Sequence, residues 1–232
     1  MSKKTRKCNC DFAEDTCKKE PEFEQLRTQI HDLQEQIQQL TELVRTDALT
    51  GLYNHRYFRE ALHREVERTQ RTGADCCLVL IDLDHFKLVN DTWGHEVGNL
   101  ALKHAANLIR FTIRPMDLPC RYGGEEFALL FPSTPLITSK QIAERIRDIL
   151  EKTPLECENH SIKLTASFGI ASYSANSLLT EDQLIEKADQ QLYLAKNQGR
   201  NQVCAAISEQ NHYPQVSQEE KDLLNNLFDN NQ

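Results

Sequence analysis

Four carboxylates in two pairs carry the first chemical signal of this chain. Asp82 and Asp84 close an apolar run as IDLDHF, and Glu125 and Glu126 follow two glycines in CRYGGEEFALLFP, Cys120 to Pro132. Adjacent glutamates repel, so Glu125 and Glu126 either stand in water or are held by a cation. A Gly-Gly pair between two β-forming runs predicts a tight hairpin, with Gly123 and Gly124 supplying positive φ without a Cβ clash. Residues two apart share a face only while a strand lasts, so Asp82 and Asp84 point together only if the strand runs through both. The unreactive reading of both pairs is solvation at a strand end. The reactive reading joins them. If the first strand and the hairpin lie side by side, carboxylates from both hold Mg²⁺, a hard cation that takes oxygen ligands and shares them with substrate phosphates. Two such ions clamp the attacking and leaving oxygens of a phosphoryl or nucleotidyl transfer. Glycines beside the carboxylates let phosphates approach the backbone.

The elements that must position these residues follow from periodicity. ADCCLVLIDLDHF reads as a buried strand, preceded by a helix from Asn54 to about Thr72. NDTWGHEVGN reads as a turn-rich connector, and Asn99 to Arg114 as a helix that Pro115 stops. The hairpin follows. TSKQIAERIRDILEKT is an amphipathic helix with Ile142, Ile146, Ile149 and Leu150 on one face. HSIKLTASFGIASY is β-rich, TEDQLIEKADQQLYLAKNQGR is helical, and NQVCAAI is a last strand. This order predicts an α/β (α+β) fold of the ferredoxin-like βαββαβ type, with additions.

Ahead of it, Phe23, Leu26, Ile30, Leu33, Ile37, Leu40 and Val44 alternate steps of three and four, an a/d seam that predicts a coiled-coil homodimer. The alternative is a single amphipathic helix lying on the globular part. In RTDALTGLYNHRYF the turn and cap residues Asp47 and Thr50, with Gly51, end that helix. The expected divisions are a polar cysteine-containing tail at 1–21, the coil at 22–46, a globular domain at 47–207 and a polar tail at 208–232, which carries one short amphipathic piece.

A formal charge of −8 argues against general nucleic-acid or anionic-membrane binding. The longest apolar run, CCLVLI, is six residues and cannot span a bilayer, and no apolar segment follows the basic start, so the expectation is a cytoplasmic protein. The eight cysteines form no disulfide framework: Cys76 and Cys77 sit inside the apolar strand and Cys120, Cys157 and Cys204 are scattered, as fits reduced thiols. Cys8, Cys10 and Cys17 cluster, but a closed zinc site wants four ligands, so they read as a solvated tail, with metal binding or redox sensing left open.

Four motifs, RYGGEEF, DALTGLYNHRYF, IDLDHFKLVNDTWGHEVGN and YLAKNQGRN, resemble in order and spacing the GGDEF family of diguanylate cyclases, over about Thr46 to Val203. The resemblance implies a palm related to those of class III nucleotide cyclases and polymerases. It implies that Asp82 and the Leu83 carbonyl bind metal, that Glu125 binds metal and accepts a proton, and that Glu126 is a second metal or general-base residue. Lys87 would stabilise phosphate charge. Lys196 and Arg200, four apart and expected on one helical face, would clamp the terminal phosphates. Asn90 would read guanine, Phe86 and His95 would line its pocket, and Gly123 and Gly124 would leave room for phosphate.

The implied reaction joins two GTP into cyclic di-GMP with loss of two pyrophosphates, using Mg²⁺ or Mn²⁺, two ions per site, in a homodimer. Arg114 and Asp117 match the family's R-x-x-D inhibitory site for the product, with Arg145 as a second contact. The plain structural reading is that Arg114 favours a helix C-terminus and Asp117 a turn. Asn99 stands where the family usually has an aspartate that accepts from guanine, and an asparagine brings donors as well. That leaves open a cyclase of relaxed purine specificity. A catalytically silent module that binds GTP or cyclic di-GMP is the other alternative.

Overall fold

The computed structural model describes residues 23–24, 26–36, 45–157 and 160–206. It divides into two units, Met1–Arg45 and Thr46–Gln232. In the first, residues 23–24 and 26–36 are helical (α1), and Phe23, Leu26, Ile30 and Leu33 are 52–63% exposed. The rest of the heptad seam, the cysteines Cys8, Cys10 and Cys17, and the C-terminal amphipathic piece lie outside the described residues.

The second unit opens on a tight joint. Asp47 accepts from the Thr50 N–H at 2.8 Å and its hydroxyl at 2.7 Å, and Gly51, at φ 68°, donates back to the Asp47 carbonyl at 2.8 Å. There follow β1 (Tyr53–Asn54), α2 (His55–Thr72), β2 (Cys76–Leu83), α3 (Phe86–Trp93), α4 (His95–Thr112), β3 (Leu118–Arg121), β4 (Glu126–Phe131) and α5 (Leu136–Lys152). The chain closes with β5 (Leu155–Cys157), β6 (His160–Ile162), β7 (Ala166–Tyr173), α6 (Glu181–Asn197) and β8 (Val203–Ala205). Asn54 caps α2 by accepting the Tyr57 N–H at 3.0 Å, and Thr180 and Gln183 form a capping box on α6.

The main sheet has the order β1-β3-β4-β2-β7-β8, and β5 and β6 form a separate two-stranded arm. Its centre, β3-β4-β2-β7, is antiparallel throughout, the expected ferredoxin-like arrangement. β1 pairs parallel to β3 at one edge and β8 parallel to β7 at the other. β2 is buried at all eight positions, which is why it reads as a continuous apolar run rather than an alternating one. Its Cys77, Val79, Ile81 and Leu83 join the core with α4 and α5, while Cys76, Leu78 and Leu80 join the core with α2 and α6. β2 is therefore the fixed bar of the molecule, and what stands at its end is held from both faces.

The expected connector NDTWGHEVGN is instead the end of α3, an elbow at Gly94 and the start of α4. Gly94, at φ 84°, both ends one helix and begins the next, which only glycine does without strain. α3 buries Phe86 alone, so its polar outer face carries the composition of a loop.

Candidate active site

The end of β2 and the hairpin meet as the reactive reading requires. Asp82 pairs with Glu126 of β4 on one side and Ser167 of β7 on the other, and the Leu83 N–H donates to the Glu125 carbonyl at 3.4 Å. Neither aspartate is solvated: Asp82 and Asp84 are 9% and 6% exposed. The Lys196 ammonium lies 2.8 Å from Asp82 Oδ2, so α6 supplies the counter-charge. Glu125 is half-buried, and its carboxyl is pushed above the ordinary glutamate value by burial first, then by the charges of Asp82 and Glu126, with Lys196 opposing. Such a carboxylate is a better proton acceptor near neutral pH than a solvated one.

The hairpin closes through the Tyr122 and Gly123 N–H groups, which donate to the Glu126 carbonyl at 2.8 and 3.2 Å. The positive φ expected at its glycines is absent: neither lies in the left-handed region. Gly123 leaves room for the Glu126 carboxylate instead, because a Cβ there would stand 2.4 Å from Glu126 Oε2 and make that side chain swing away. A Cβ at Gly124 would meet nothing within 4 Å, so this backbone is open to an incoming phosphate.

The oxygens of Asp82, Glu125 and the Leu83 carbonyl are hard donors that suit Mg²⁺ or Mn²⁺. Among the described residues no three His, Cys, Asp or Glu side chains form a ready cation cage. This set fits an ion that arrives with substrate phosphates and completes its shell from them. Asp84 is not part of it. It lies past the end of β2, and its oxygens accept from Ser167 Oγ, Thr165 Oγ1 and the Asn201 N–H at 2.7, 2.8 and 3.0 Å.

Sequence reasoning passed over Arg121. Its Nε and Nη2 donate to the Gly124 carbonyl at 3.2 and 2.8 Å, while Nη1 donates to both oxygens of Asp47 at 3.3 and 3.2 Å. One guanidinium thus staples the hairpin tip to the joint at the start of the domain. Its only sequence signal was position, next to the glycines.

On the other side, Phe86, Lys87 and Asn90 belong to α3, and His95 and Asn99 to the first turns of α4. Phe86 is buried, Asn90 half-buried, and Lys87, His95 and Asn99 exposed. Gly98 was also passed over. A Cβ there would fall 1.9 Å from Asn90 Oδ1 and 3.3 Å from Phe86 Cζ, so its missing side chain is what seats the Asn90 amide.

Arg200 departs from expectation. α6 ends at Asn197, and Arg200 lies beyond it at φ 64°, exposed, so it does not share a helical face with Lys196. Gly199, at φ 116°, turns the chain out of the helix before the fourth residue is reached.

Away from the hairpin, Arg114 and Asp117 form a closed turn. The Arg114 N–H donates to Asp117 Oδ2 at 2.9 Å and the Asp117 N–H to the Arg114 carbonyl at 3.0 Å. Asp117 is buried, its Oδ1 has no partner among the described residues, and burial pushes its carboxyl upward. Arg145 reaches across from α5 to the Thr112 carbonyl at 2.6 Å, capping α4 two residues before Arg114.

The family described as "Diguanylate cyclase, GGDEF domain" matches residues 44–202. Diguanylate cyclase DgcP of Pseudomonas aeruginosa is 39% identical over 161 residues, 69% of this chain and 24% of that protein. Response regulator PleD of Caulobacter vibrioides is 40% identical over 164 residues, 70% of this chain and 36% of that one. The chain thus spans about a quarter to a third of the length of these curated relatives. Among solved structures, the coiled coil and GGDEF domain of DgcB from Caulobacter crescentus, in complex with c-di-GMP, aligns with a TM-score of 0.67 at 31% identity, covering 81% of this chain and 98% of that one. The diguanylate cyclase SiaD of Pseudomonas aeruginosa, in complex with its activator SiaC, aligns with a TM-score of 0.68 at 35% identity, covering 84% and 76%.

Proposed function

The chain belongs to the GGDEF family of diguanylate cyclases, and we propose that it condenses two GTP into cyclic di-GMP with release of two pyrophosphates. The observation that carries this reading is the meeting of Asp82, Glu125 and Lys196, a buried carboxylate, a carboxyl of raised proton affinity and a cation, at the end of one rigid strand. In each half-reaction the 3′-hydroxyl of one GTP attacks the α-phosphorus of the other. The new P–O bond forms as the bond to pyrophosphate breaks, and the hydroxyl proton leaves to a base. Glu125 takes that proton, with Glu126 beside it.

Asp82, the Leu83 carbonyl and Glu125 would hold Mg²⁺ or Mn²⁺, expected as two ions, which would supply Lewis acidity at the reacting phosphate. Lys196 exchanges its Asp82 partner for phosphate oxygens, and Lys87 and Arg200 add positive charge around the leaving pyrophosphate. Asn90, seated on Gly98, reads the guanine edge within the pocket of Phe86 and His95. Asn99 accepts from guanine through its carbonyl, and its donors loosen discrimination against adenine.

Each domain carries one GTP, so two must face each other. The exposed apolar stripe of α1 supports a coiled-coil homodimer that raises their effective concentration. Product feedback at Arg114, Asp117 and Arg145 is supported by the exposed Arg114 on its closed turn with Asp117 and by Arg145, exposed and held on the Thr112 carbonyl two residues before Arg114. No helix among the described residues is long and apolar enough to cross a membrane, and GTP as substrate favours the cytoplasm.

The test is product analysis by mass spectrometry of purified protein with Mg²⁺ and GTP, alone and mixed with ATP, beside Glu125→Gln. Cyclic di-GMP that disappears in the variant is the expected result. Mixed product makes Asn99 the specificity determinant. GTP or cyclic di-GMP binding without any product overturns the cyclase in favour of a silent receptor.

A further inference from the structure

Asp84 is a buried carboxylate to which the proposed reaction gives no task. Placing a carboxylate at 6% exposure is costly unless its lone pairs are filled. Three donors fill them, and they come from two places. Ser167 and Thr165 tie the end of β2 to the start of β7. The third donor, the Asn201 N–H at 3.0 Å, belongs to the connector between α6 and β8, 117 residues further along the chain.

That connector is strained. Gly199, Arg200 and Asn201 follow one another at φ 116°, 64° and 44°. Asparagine visits the left-handed region readily but arginine does not, so this run persists only where its surroundings hold it. The surroundings do so here. The Arg200 N–H donates to the Ala195 carbonyl at 3.0 Å, the Asn201 N–H to Asp84, and Arg147 Nη1 to Asn201 Oδ1 at 3.2 Å. The Gln202 carbonyl accepts from the Phe168 N–H at 2.9 Å. The Arg200 guanidinium, by contrast, is exposed and makes no ion pair among the described residues. The backbone of this residue is fixed on both sides while its cationic end stays available.

We propose that Asp84 is a positioning residue for the phosphate clamp: by accepting the Asn201 N–H it holds the 199–201 connector in its left-handed shape and aims Arg200 at the triphosphate bound beside Asp82. The two aspartates of IDLD then place both cations of the clamp from one rigid strand end, Asp82 by pairing with the Lys196 ammonium until phosphate replaces it and Asp84 through the backbone next to Arg200. The inference rests on the cyclase reading of Lys196 and Arg200.

The test is a double-mutant cycle on full-length protein, with the Kd for the non-reacting analogue α,β-methylene GTP measured by calorimetry. Arg200→Ala and Asp84→Ala are each expected to weaken binding about 10-fold or more, and the double variant to bind no worse than Arg200→Ala, because residues that act as a unit are not additive. Thr165→Val removes a donor from the same carboxylate without touching the connector. It is expected to lower Tm and leave Kd within about two-fold, which a merely structural role of Asp84 does not predict. Effects of Asp84→Ala and Arg200→Ala that multiply, or a Thr165→Val as weak in binding as Asp84→Ala, overturn the proposal. Asp84→Asn keeps the volume and serves if the alanine variant does not fold. A neutral acceptor bonds less strongly, so about a three-fold loss that vanishes in the Arg200→Ala background is expected, and an unchanged Kd overturns the proposal. Wild-type binding that Arg200→Ala leaves intact removes the clamp reading itself, and with it this inference. Binding weakened by Arg200→Ala but not by the Asp84 variants removes this inference alone.

Discussion

At the scale of single residues, Glu125 has a consequence for stability that is separate from catalysis. Its folded-state carboxyl keeps its proton to higher pH than in the unfolded chain, through burial and the charges of Asp82 and Glu126. The resulting contribution to stability is therefore whole below the ordinary glutamate value of 4.5 and is lost as pH rises through the raised one. Glu125→Gln is expected to raise Tm of the nucleotide-free protein at pH 7 to 8 and to leave it unchanged at pH 4, while cyclase activity falls. A Tm lowered at neutral pH would show that the Glu125 charge is stabilised rather than crowded. The glycines make a second residue-scale prediction. Gly98→Ala drives a Cβ onto the Asn90 amide, and overpacking of this kind costs about 1–3 kcal/mol. Scanning calorimetry and GTP titration are expected to show both a lower Tm and GTP binding weakened about 10-fold or more, since the displaced amide is the proposed guanine reader. Tight GTP binding in this variant removes Asn90 from that role.

Elements explain which features were legible in the sequence. β2 was, because burial on both faces leaves an unbroken apolar run, and α6 was, because Thr180 and Gln183 cap it. α3 was not, because it buries only Phe86 and its other residues carry the composition of a connector. A four-residue step from Lys196 suggests that Arg200 lies on α6, yet the helix ends at Asn197 and Gly199, at φ 116°, turns the chain away before Arg200. Asp84 and Arg121 were illegible for a different reason. Their partners lie 81, 83 and 117 residues away for the one and 74 for the other, and no local pattern encodes such pairings. The Arg121 staple carries its own prediction. Arg121→Ala frees the Gly124 carbonyl and leaves Asp47 with its Thr50 bonds alone, a loss of about 1–3 kcal/mol for charged hydrogen bonds. Arg121→Lys keeps a cation that can pair with Asp47 and leaves the Asp47–Thr50 turn intact, but a single ammonium cannot also fork onto the Gly124 carbonyl. Its Tm is expected to recover relative to Arg121→Ala while its cyclase activity does not. Full recovery of activity would assign the staple to stability alone.

At the scale of the whole molecule, the chemistry sets a condition no single domain can meet. In the proposed reaction the hairpin of one copy would hold one GTP, and the second would arrive on another copy of a chain whose formal charge is −8. Two such chains repel at low ionic strength, and each bound triphosphate would add to the repulsion. An apolar seam opposes this, because it needs no charge complementarity and turns the encounter into an intramolecular event. Leu26 and Ile30, each more than half exposed on α1, are successive seam positions four residues apart. The Leu26→Asp, Ile30→Asp variant is expected to be monomeric by light scattering and to keep its domain Tm, because neither side chain is buried in the described structure. Its rate of product formation should rise with the square of protein concentration, whereas that of the wild type rises linearly once the coil is formed. Added salt should also accelerate the variant by screening the two domains, at least until it competes for the phosphates. A monomeric variant whose activity per molecule stays at the wild-type level on dilution would mean that the domains find each other through their own surfaces, and the seam of α1 would then need a different partner.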